Sequence, residues 1–143
     1  MARKRQKPLF PEMEKVIASL MGDERQDLVI LFIPSHDKNQ KEIPDQAEWA
    51  NAAMELFGEQ FRGATAFEAF AGVYRTDDGK VLWDKPILIE SYMPRDMLLD
   101  PVNLRELLQF AKRMGRETNQ AAVGMIVNSV FHEITDLDGG DRE

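Results

Sequence analysis

The stretch that decides the fold runs from Gly63 to Tyr92 and reads GATAFEAFAGVYR, then TDDG, then KVLWDKPILIESY. Two segments rich in aromatic and β-branched residues flank Asp78 and Gly79, and glycine accepts the positive φ that a tight turn requires. The pattern predicts a β-hairpin in the middle of the chain.

Alternation of side chains along each strand divides the hairpin residues between two faces. Neither face is polar, whereas an antiparallel sheet with one solvated face alternates apolar and polar residues. We therefore expect both faces to be covered, one by helices and the other by a further element or a second subunit. For an even loop that pairs Thr76 or Asp77 with Lys80, one face collects Phe70, Tyr74, Val81, Trp83, Ile87 and Ile89, and the other collects Phe67, Ala69, Ala71, Val73, Leu82 and Leu88.

Two helices and a strand are predicted before the hairpin. Pro11 to Met21 has apolar residues at helical spacing, with proline in the first turn and Gly22 at the expected cap. Asp27 to Pro34 contains the continuous apolar run LVILFI, which is typical of a buried central strand. Asp45 and Glu48 have the spacing of a capping box, and predict a second helix that bears Trp49.

After the hairpin the sequence predicts one more helix and one more strand. Asp100 and Pro101 have the residue types of an N-cap and a first helical position, and Gly115 is the expected stop. Gln120 to Ile134 fits a helical period, but its β-branched residues and Gly124 favour a strand. We favour the strand and leave the helix open.

This order of elements predicts an α+β fold, the ferredoxin-like β-α-β-β-α-β arrangement, with a four-stranded antiparallel sheet and an additional N-terminal helix. The predicted division is a basic arm at 1–10, a single domain at 11–134 and an acidic tail at 135–143.

Part of the sequence, roughly residues 27–134, resembles an uncharacterised family of small bacterial ferredoxin-like proteins. The resemblance is carried by a strand, a helix with Trp49, and a hairpin of the form G-x-aromatic-Arg, here Gly72, Tyr74 and Arg75. It implies the fold and self-association, and it implies no activity. The basic arm, the first helix and the 93–101 connector depart from the family pattern.

Composition excludes several classes of function. The 143 residues include no cysteine, which excludes disulfides and thiolate metal sites and is compatible with a reducing cytoplasm. No apolar run reaches the roughly 20 residues that span a bilayer, so we expect a soluble cytoplasmic protein without membrane contact. A net charge of −7 argues against nucleic-acid binding by the whole chain. The sequence leaves only weak binding of nucleic acid, through the basic arm residues Arg3, Lys4, Arg5 and Lys7.

Metal and cofactor sites are not predicted. His36 and His132 are expected at opposite edges of the sheet. The stretch HEITD at 132–136 is similar to the zinc motif H-E-x-x-H, but that motif needs a helix and a third ligand. Asp136, Asp138 and Asp141 lack the spacing of a calcium loop. Ser35, His36 and Asp37 are adjacent, so their side chains point apart and do not form a triad.

One polar cluster is the candidate catalytic site. Histidine, carboxylate, phenol and guanidinium groups together can bind a small anion or transfer protons. The alternative is a polar loop edge with ordinary ion pairs. The residues that we expect along one sheet edge are His36, Asp37, Glu90, Tyr92 and Arg95.

Two functions are carried forward. We favour a non-enzymatic module that forms a homo-oligomer or binds a protein partner, because its apolar surface exceeds what two helices cover. The alternative is a small-molecule-binding protein or enzyme that uses the polar edge. The predicted interface residues are Val16, Ile17, Leu20, Phe70, Tyr74, Trp83 and Ile87.

Overall fold

The computed structural model describes residues 11–21 and 26–138. The basic arm with Arg3, Lys4, Arg5 and Lys7, the predicted cap Gly22, and Asp141 in the acidic tail therefore lie outside the described residues. The elements, in chain order, are α1 (Pro11–Met21), β1 (Gln26–Ile33), α2 (Gln46–Phe61), β2 (Thr65–Glu68), β3 (Gly72–Arg75), β4 (Val81–Asp84), β5 (Ile87–Pro94), α3 (Arg95–Leu98), α4 (Pro101–Glu117), β6 (Val123–Val127) and β7 (Val130–Ile134).

The main sheet has five strands in the order β2-β5-β1-β6-β7, and every pairing in it is antiparallel. Strands β3 and β4 form a separate two-stranded sheet. The protein is thus a mixed α+β structure with antiparallel sheets. Within the described ranges no sheet closes into a barrel.

The predicted count of four strands is wrong because the segment Gln120–Ile134 contains two strands. Val127 pairs with Val130, so Asn128 and Ser129 alone form the turn. Their φ angles are +48° and +74°. A two-residue hairpin turn with both φ angles positive matches the twist of the flanking strands. The strand assignment was correct in type, but it missed this turn.

The central hairpin is also divided. Glu68 pairs with Ile87, whereas Gly72 pairs with Asp84, so three residues on one side span two on the other. This extra residue is a β-bulge, which bends the hairpin and separates β3 and β4 from the main sheet. Of the two expected pairings, that of Thr76 with Lys80 is present, since the Thr76 N–H donates to the Lys80 carbonyl at 2.8 Å. This pairing encloses three residues, so the loop is odd and the expectation of an even loop is wrong.

The odd loop changes the expected faces. Tyr74 lies opposite Leu82, and Trp83 lies opposite Val73. Residues directly opposite in an antiparallel pair share a face. Tyr74 and Trp83 therefore lie on opposite faces of the β3–β4 sheet, and the grouping of Tyr74 with Trp83 was wrong.

The core lies between one face of the main sheet and helices α2 and α4. Alternate residues of β1 are fully buried, as are Ile89 and Met93 of β5. The helices contribute aromatic rings, which meet edge to face in the pairs Trp49–Phe110 and Phe57–Phe61. Large apolar side chains on the helices pack against those on the sheet, which explains why α2 and α4 lie on this face.

Helix ends were predicted with mixed success. The Asp100 carboxylate accepts the N–H groups of Val102 and Asn103, as an N-cap should. Asp45 makes no capping bond and accepts the Trp49 indole N–H at 3.1 Å instead. Gly115 does not end α4, which continues to Glu117. The glycine lies inside the helix, at a point where α4 closely approaches β6.

Over the described residues, no helix has both the length and the apolarity that crossing a membrane requires.

Candidate functional site

The face of the main sheet away from α2 and α4 is largely apolar. On β1 and β5 the side chains alternate between this face and the buried core, so Leu31 and Ile89 are fully buried whereas Phe32 and Leu88 are only partly buried. No helix among the described elements packs on it. We call it the open sheet face, and its main residues are Leu28, Ile30, Phe32, Phe67, Leu88, Glu90, Tyr92, Ile126 and Phe131.

Three aromatic rings of the open sheet face are about half exposed. Phe67, Tyr92 and Phe131 expose 50%, 59% and 55% of their surface. The Phe131 ring meets Phe32 edge to face at 6.0 Å between centroids. Gly124 allows this contact, because a Cβ there would come within 2.9 Å of the Phe131 ring. The face is therefore organised as well as apolar.

A second exposed apolar surface lies on strands β3 and β4, which we call the ribbon. Val73 lies opposite Trp83 and Arg75 lies opposite Val81, so these four side chains share one face. Val73, Val81 and Trp83 expose 61%, 51% and 60% of their surface. An isolated two-stranded hairpin is marginally stable in water. The ribbon thus depends on contacts with its own base or with another molecule.

Hydrogen bonds at the base attach the ribbon to the loop after β1. The Ser35 N–H donates to Asp84 Oδ1 at 2.8 Å, and the Lys85 N–H donates to Ser35 Oγ at 2.8 Å. Gln40 Oε1 accepts the Trp83 N–H at 3.0 Å. The Gln46 amide donates to the Lys85 carbonyl at 2.9 Å. These bonds fix the direction in which the ribbon projects.

Ser35, His36 and Asp84 form a contact group that sequence reasoning missed, because the side chains of Ser35 and His36 were wrongly expected to point apart. Ser35 Oγ lies 2.7 Å from His36 Nδ1 and also contacts the Asp84 carboxylate. A nucleophilic triad places histidine between serine and carboxylate, whereas here the buried serine lies between the other two. The group is suited to holding the ribbon and does not have the order that activates a serine.

The opposite end of β1 carries an ion pair. Asp27 is buried and accepts from the Arg95 guanidinium at 3.3 Å through both carboxylate oxygens. Asn128 Nδ2 donates to the same carboxylate at 3.0 Å. The hydrogen bond from Arg95, followed by that from Asn128, lowers the pKa of Asp27. Asp27 therefore stays ionised and links β1, the β6–β7 turn and α3.

The predicted polar edge is not assembled. Strands β1 and β5 are antiparallel, so Ile33 pairs with Ile87 and Gln26 pairs with Pro94. The eight paired positions span about 23 Å. His36 and Asp37 follow one end of this ladder, Arg95 follows the other, and Glu90 and Tyr92 lie between on the open sheet face.

The Asp37 carboxylate makes several hydrogen bonds that stabilise the local structure. Its carboxylate accepts the backbone N–H groups of Lys41 and Asn39 and the side-chain amide of Asn119. The bond from Lys41, with those from Asn39 and Asn119, lowers the pKa of Asp37. This residue closes the loop after β1.

The predicted interface residues divide into two groups. Val16, Ile17 and Leu20 on α1 are exposed, and so are Phe70, Tyr74 and Trp83 of the hairpin. Phe70, in the middle of the bulge at 69–71, is 96% exposed. Ile87 is the exception, since it packs against the buried core and is not part of an exposed surface.

Metal ligands do not converge in the part of the chain that the structure describes. No group of three or more His, Asp or Glu residues there could hold an ion. His132 lies on β7, opposite Met125, in a strand rather than the helix that the zinc motif requires.

A shallow groove between α2 and α4 offers no clear ligand site. Its lining includes Arg113 and Arg116. The Arg113 guanidinium lies over the Trp49 ring at 5.1 Å, and Arg116 donates to the Leu137 carbonyl at 2.5 Å. Both arginines are therefore used in internal contacts.

Comparison with solved structures finds a fold likeness. A phage SAM lyase in complex with S-methyl-5'-thioadenosine superposes with a TM-score of 0.54 at 13% sequence identity, over 77% of this chain and 89% of that chain. A phage SAM lyase in the apo state gives a TM-score of 0.48 at 14% identity, over 76% and 88%. No family model matches the sequence, and a search of curated proteins found no match. At this identity the first likeness concerns the fold alone.

Proposed function

We propose that this protein is a self-associating module whose copies join through the open sheet face. The observation that carries the proposal is the half-exposed set of rings Phe67, Tyr92 and Phe131 on a face that no described helix covers. Exposed apolar patches of this kind mark interaction sites. Burial of each large side chain contributes about 1.5–3 kcal/mol, which offsets the cost of association.

Helix α1 supports the same proposal. Met13, Val16, Ile17 and Leu20 lie on one side of it, and all four are about half exposed or more. An amphipathic helix of 11 residues gains most of its stability from packing of its apolar side. In the proposed assembly α1 contributes that side to the interface.

The proposal also includes a fold family and a cellular location. The strand order β2-β5-β1-β6, with α2 and α4 on one face, supports a ferredoxin-like unit to which β7 is added at the edge. The absence of cysteine supports a place in the reducing cytoplasm.

The test is the mass of the purified protein in solution, by light scattering and sedimentation velocity. The wild type should form a defined oligomer of the 16.4 kDa chain. Phe67→Glu places a charge on the open sheet face and should lower the mass to that of one chain. Val102→Glu makes the same change on exposed α4, away from this face, and should leave the oligomer intact. A wild type of one-chain mass at all concentrations would refute the proposal.

The second candidate is binding of an adenosine thioether, or cleavage of S-adenosylmethionine. The supporting observation is that the fold likeness covers 89% of a SAM lyase that was solved with S-methyl-5'-thioadenosine. Glu90 and Tyr92 are the polar groups of the open sheet face that fit such a ligand. A carboxylate can accept from ribose hydroxyls, and a phenol ring can stack on a base.

Calorimetry with S-methyl-5'-thioadenosine and mass spectrometry after incubation with S-adenosylmethionine test this candidate. Binding that is lost in both Glu90→Gln and Tyr92→Ala, or enzyme-dependent release of S-methyl-5'-thioadenosine, would support it. If neither compound binds the assembled protein at millimolar concentration and no product forms, the candidate is excluded.

A further inference from the structure

The ribbon and the open sheet face have complementary surfaces. The ribbon face carries Val73, Val81 and Trp83 with one cation, Arg75. The open sheet face carries aliphatic and aromatic side chains, with Glu90 near its centre. We propose that the ribbon of one copy packs on the open sheet face of a second copy, with Arg75 against the partner's Glu90. This inference rests on the proposed self-association and specifies its contact.

The ribbon does not use these side chains to cover its own sheet. Val73, Val81 and Trp83 are each more than half exposed in the single chain. The bonds of Ser35 to Asp84 and of Gln46 to Lys85 hold the base of the ribbon in place. A surface that is fixed in this direction and remains exposed is available to another molecule.

The dimensions allow the contact. Five strands at about 4.8 Å spacing make a face about 24 Å wide, and a two-stranded ribbon covers about 10 Å of it. Two β-layers pack face to face at about 10 Å with interdigitating side chains. The uncovered part of the face leaves space for the apolar side of α1.

The charges on the two surfaces indicate that a second copy of this chain occupies the open sheet face. Glu90 lies opposite Ile30 on one neighbouring strand and Thr65 on the other. Its carboxylate has no ion-pair or hydrogen-bond partner within residues 11–21 and 26–138, and the same holds for the Arg75 guanidinium. The open sheet face contains no basic residue.

A carboxylate that loses water at an interface needs a cationic partner, because burial of an unpaired charge is costly. A second open sheet face would bring another acidic group to the contact. The ribbon face brings Arg75 together with its apolar side chains. A ribbon packed on an open sheet face therefore gives Glu90 a cationic partner, whereas two open sheet faces packed together do not.

The experiment reverses each charge and then both. Arg75→Glu and Glu90→Arg should each weaken self-association about 30-fold or more, since loss of one partner leaves the other charge buried and repelled. The double variant Arg75→Glu with Glu90→Arg should restore the oligomer. Sedimentation velocity measures the dissociation constants, and circular dichroism confirms that each variant is folded.

Two controls carry the same charge changes on other faces. Lys80→Glu alters the same hairpin at a position that does not share the Arg75 face, because Thr76 and Lys80 are paired next to Arg75 and Val81. Glu68→Arg alters β2 at a position opposite Ile87, on the core side of the sheet. Neither should weaken the oligomer by more than a few-fold.

The outcomes separate this inference from the proposed function. A monomeric wild type contradicts both. An oligomeric wild type whose assembly survives Arg75→Glu and Glu90→Arg contradicts only the ribbon contact, as do single variants that dissociate when the double variant fails to reassemble. Equal mixing of the two single variants should also restore assemblies with an even number of copies, because each ribbon then meets a face of opposite charge.

Discussion

Gly115 shows how one residue positions a helix against the sheet. A Cβ at this position would lie 2.8 Å from Val123 Cγ2 and 2.9 Å from both Leu137 methyl groups. Val123 is β-branched and lies within a strand, so it has few alternative rotamers. The glycine therefore allows α4 and β6 to approach closely.

Gly115→Ala should destabilise the protein by about 1–2 kcal/mol, because overpacking outweighs the gain in helix propensity. Gly58→Ala is the matched control. Gly58 lies inside α2 with nothing within 4 Å of the added Cβ, and its replacement should stabilise by about 0.5–1 kcal/mol. Urea unfolding measures both, and changes of the same sign would contradict the packing account.

Asp27 predicts a pH dependence. Its pKa is lowered by hydrogen bonds from Arg95 and Asn128, so the folded state favours the ionised form. The resulting stability is present above the ordinary carboxyl pKa of about 4 and is lost as the pH falls through the lower folded value. Asp27→Asn should therefore reduce the midpoint of thermal unfolding at pH 7, and this deficit should shrink in acid.

Thermal unfolding of wild type and variant between pH 7 and the lowest pH at which both fold tests this dependence. Asp77→Asn, in the exposed hairpin turn, is the control and should show little deficit at any pH. A deficit for Asp27→Asn that is unchanged in acid would mean that the ion pair is not its cause.

Residue types predicted some local features and missed others for physical reasons. Asp100 and Pro101 were recognised because an N-cap is decided within three residues. Asp45 has the same residue type, but its carboxylate bonds the Trp49 side chain instead. The signal for the β6–β7 turn was present in Asn128, since asparagine tolerates the left-handed region.

At the scale of elements, the β6–β7 hairpin depends on two residues with positive φ. Asn128 is well placed, since its Oδ1 accepts the Leu28 N–H at 2.8 Å and its own N–H donates to the Leu28 carbonyl at 2.9 Å. Ser129 adopts a φ of +74°, a conformation that a residue with a Cβ disfavours.

Ser129→Gly should stabilise the hairpin by about 0.5–1 kcal/mol, because glycine adopts this conformation without steric cost. Ser129→Val should destabilise it, since a β-branched residue is strained at positive φ. Chemical unfolding of both variants tests the turn. If glycine and valine had equal effects, the two-residue turn would be wrong.

The bulge at 69–71 explains why the hairpin faces could not be read from parity. One additional residue exchanges the faces of every side chain beyond it. A three-residue loop with Gly79 at φ +85° makes a second change of register at the tip. Neither event has a strong local signal in a segment where apolar residues occupy both faces.

At the scale of the whole molecule, the hydrophobic pattern predicted the α+β class and the helices α2 and α4. The candidate polar site was not predicted correctly, because it required the relative direction of β1 and β5. Their antiparallel pairing separates His36 from Arg95 by the length of the ladder. An apolar face available to a partner was expected from the apolar residues. The hairpin residues expected on it, Phe70, Tyr74, Trp83 and Ile87, do not lie on the open sheet face, which carries Phe67, Leu88 and Tyr92 instead.

Tryptophan fluorescence should report the assembly. Trp49 is 9% exposed and Trp83 is 60% exposed in the single chain. In a Trp49→Phe variant, emission comes from Trp83 alone. Burial of the ribbon face in the oligomer predicts blue-shifted emission at high concentration and a red shift on dilution. The variant with Lys80→Glu should behave in the same way, whereas the one with Arg75→Glu should emit at long wavelength throughout.

The most direct test of self-association is the mass of the wild-type protein in solution across a wide concentration range. The account predicts a defined multiple of 16.4 kDa at high concentration, with reversible dissociation on dilution. A mass of 16.4 kDa at every concentration, up to the highest that remains free of aggregates, would contradict it.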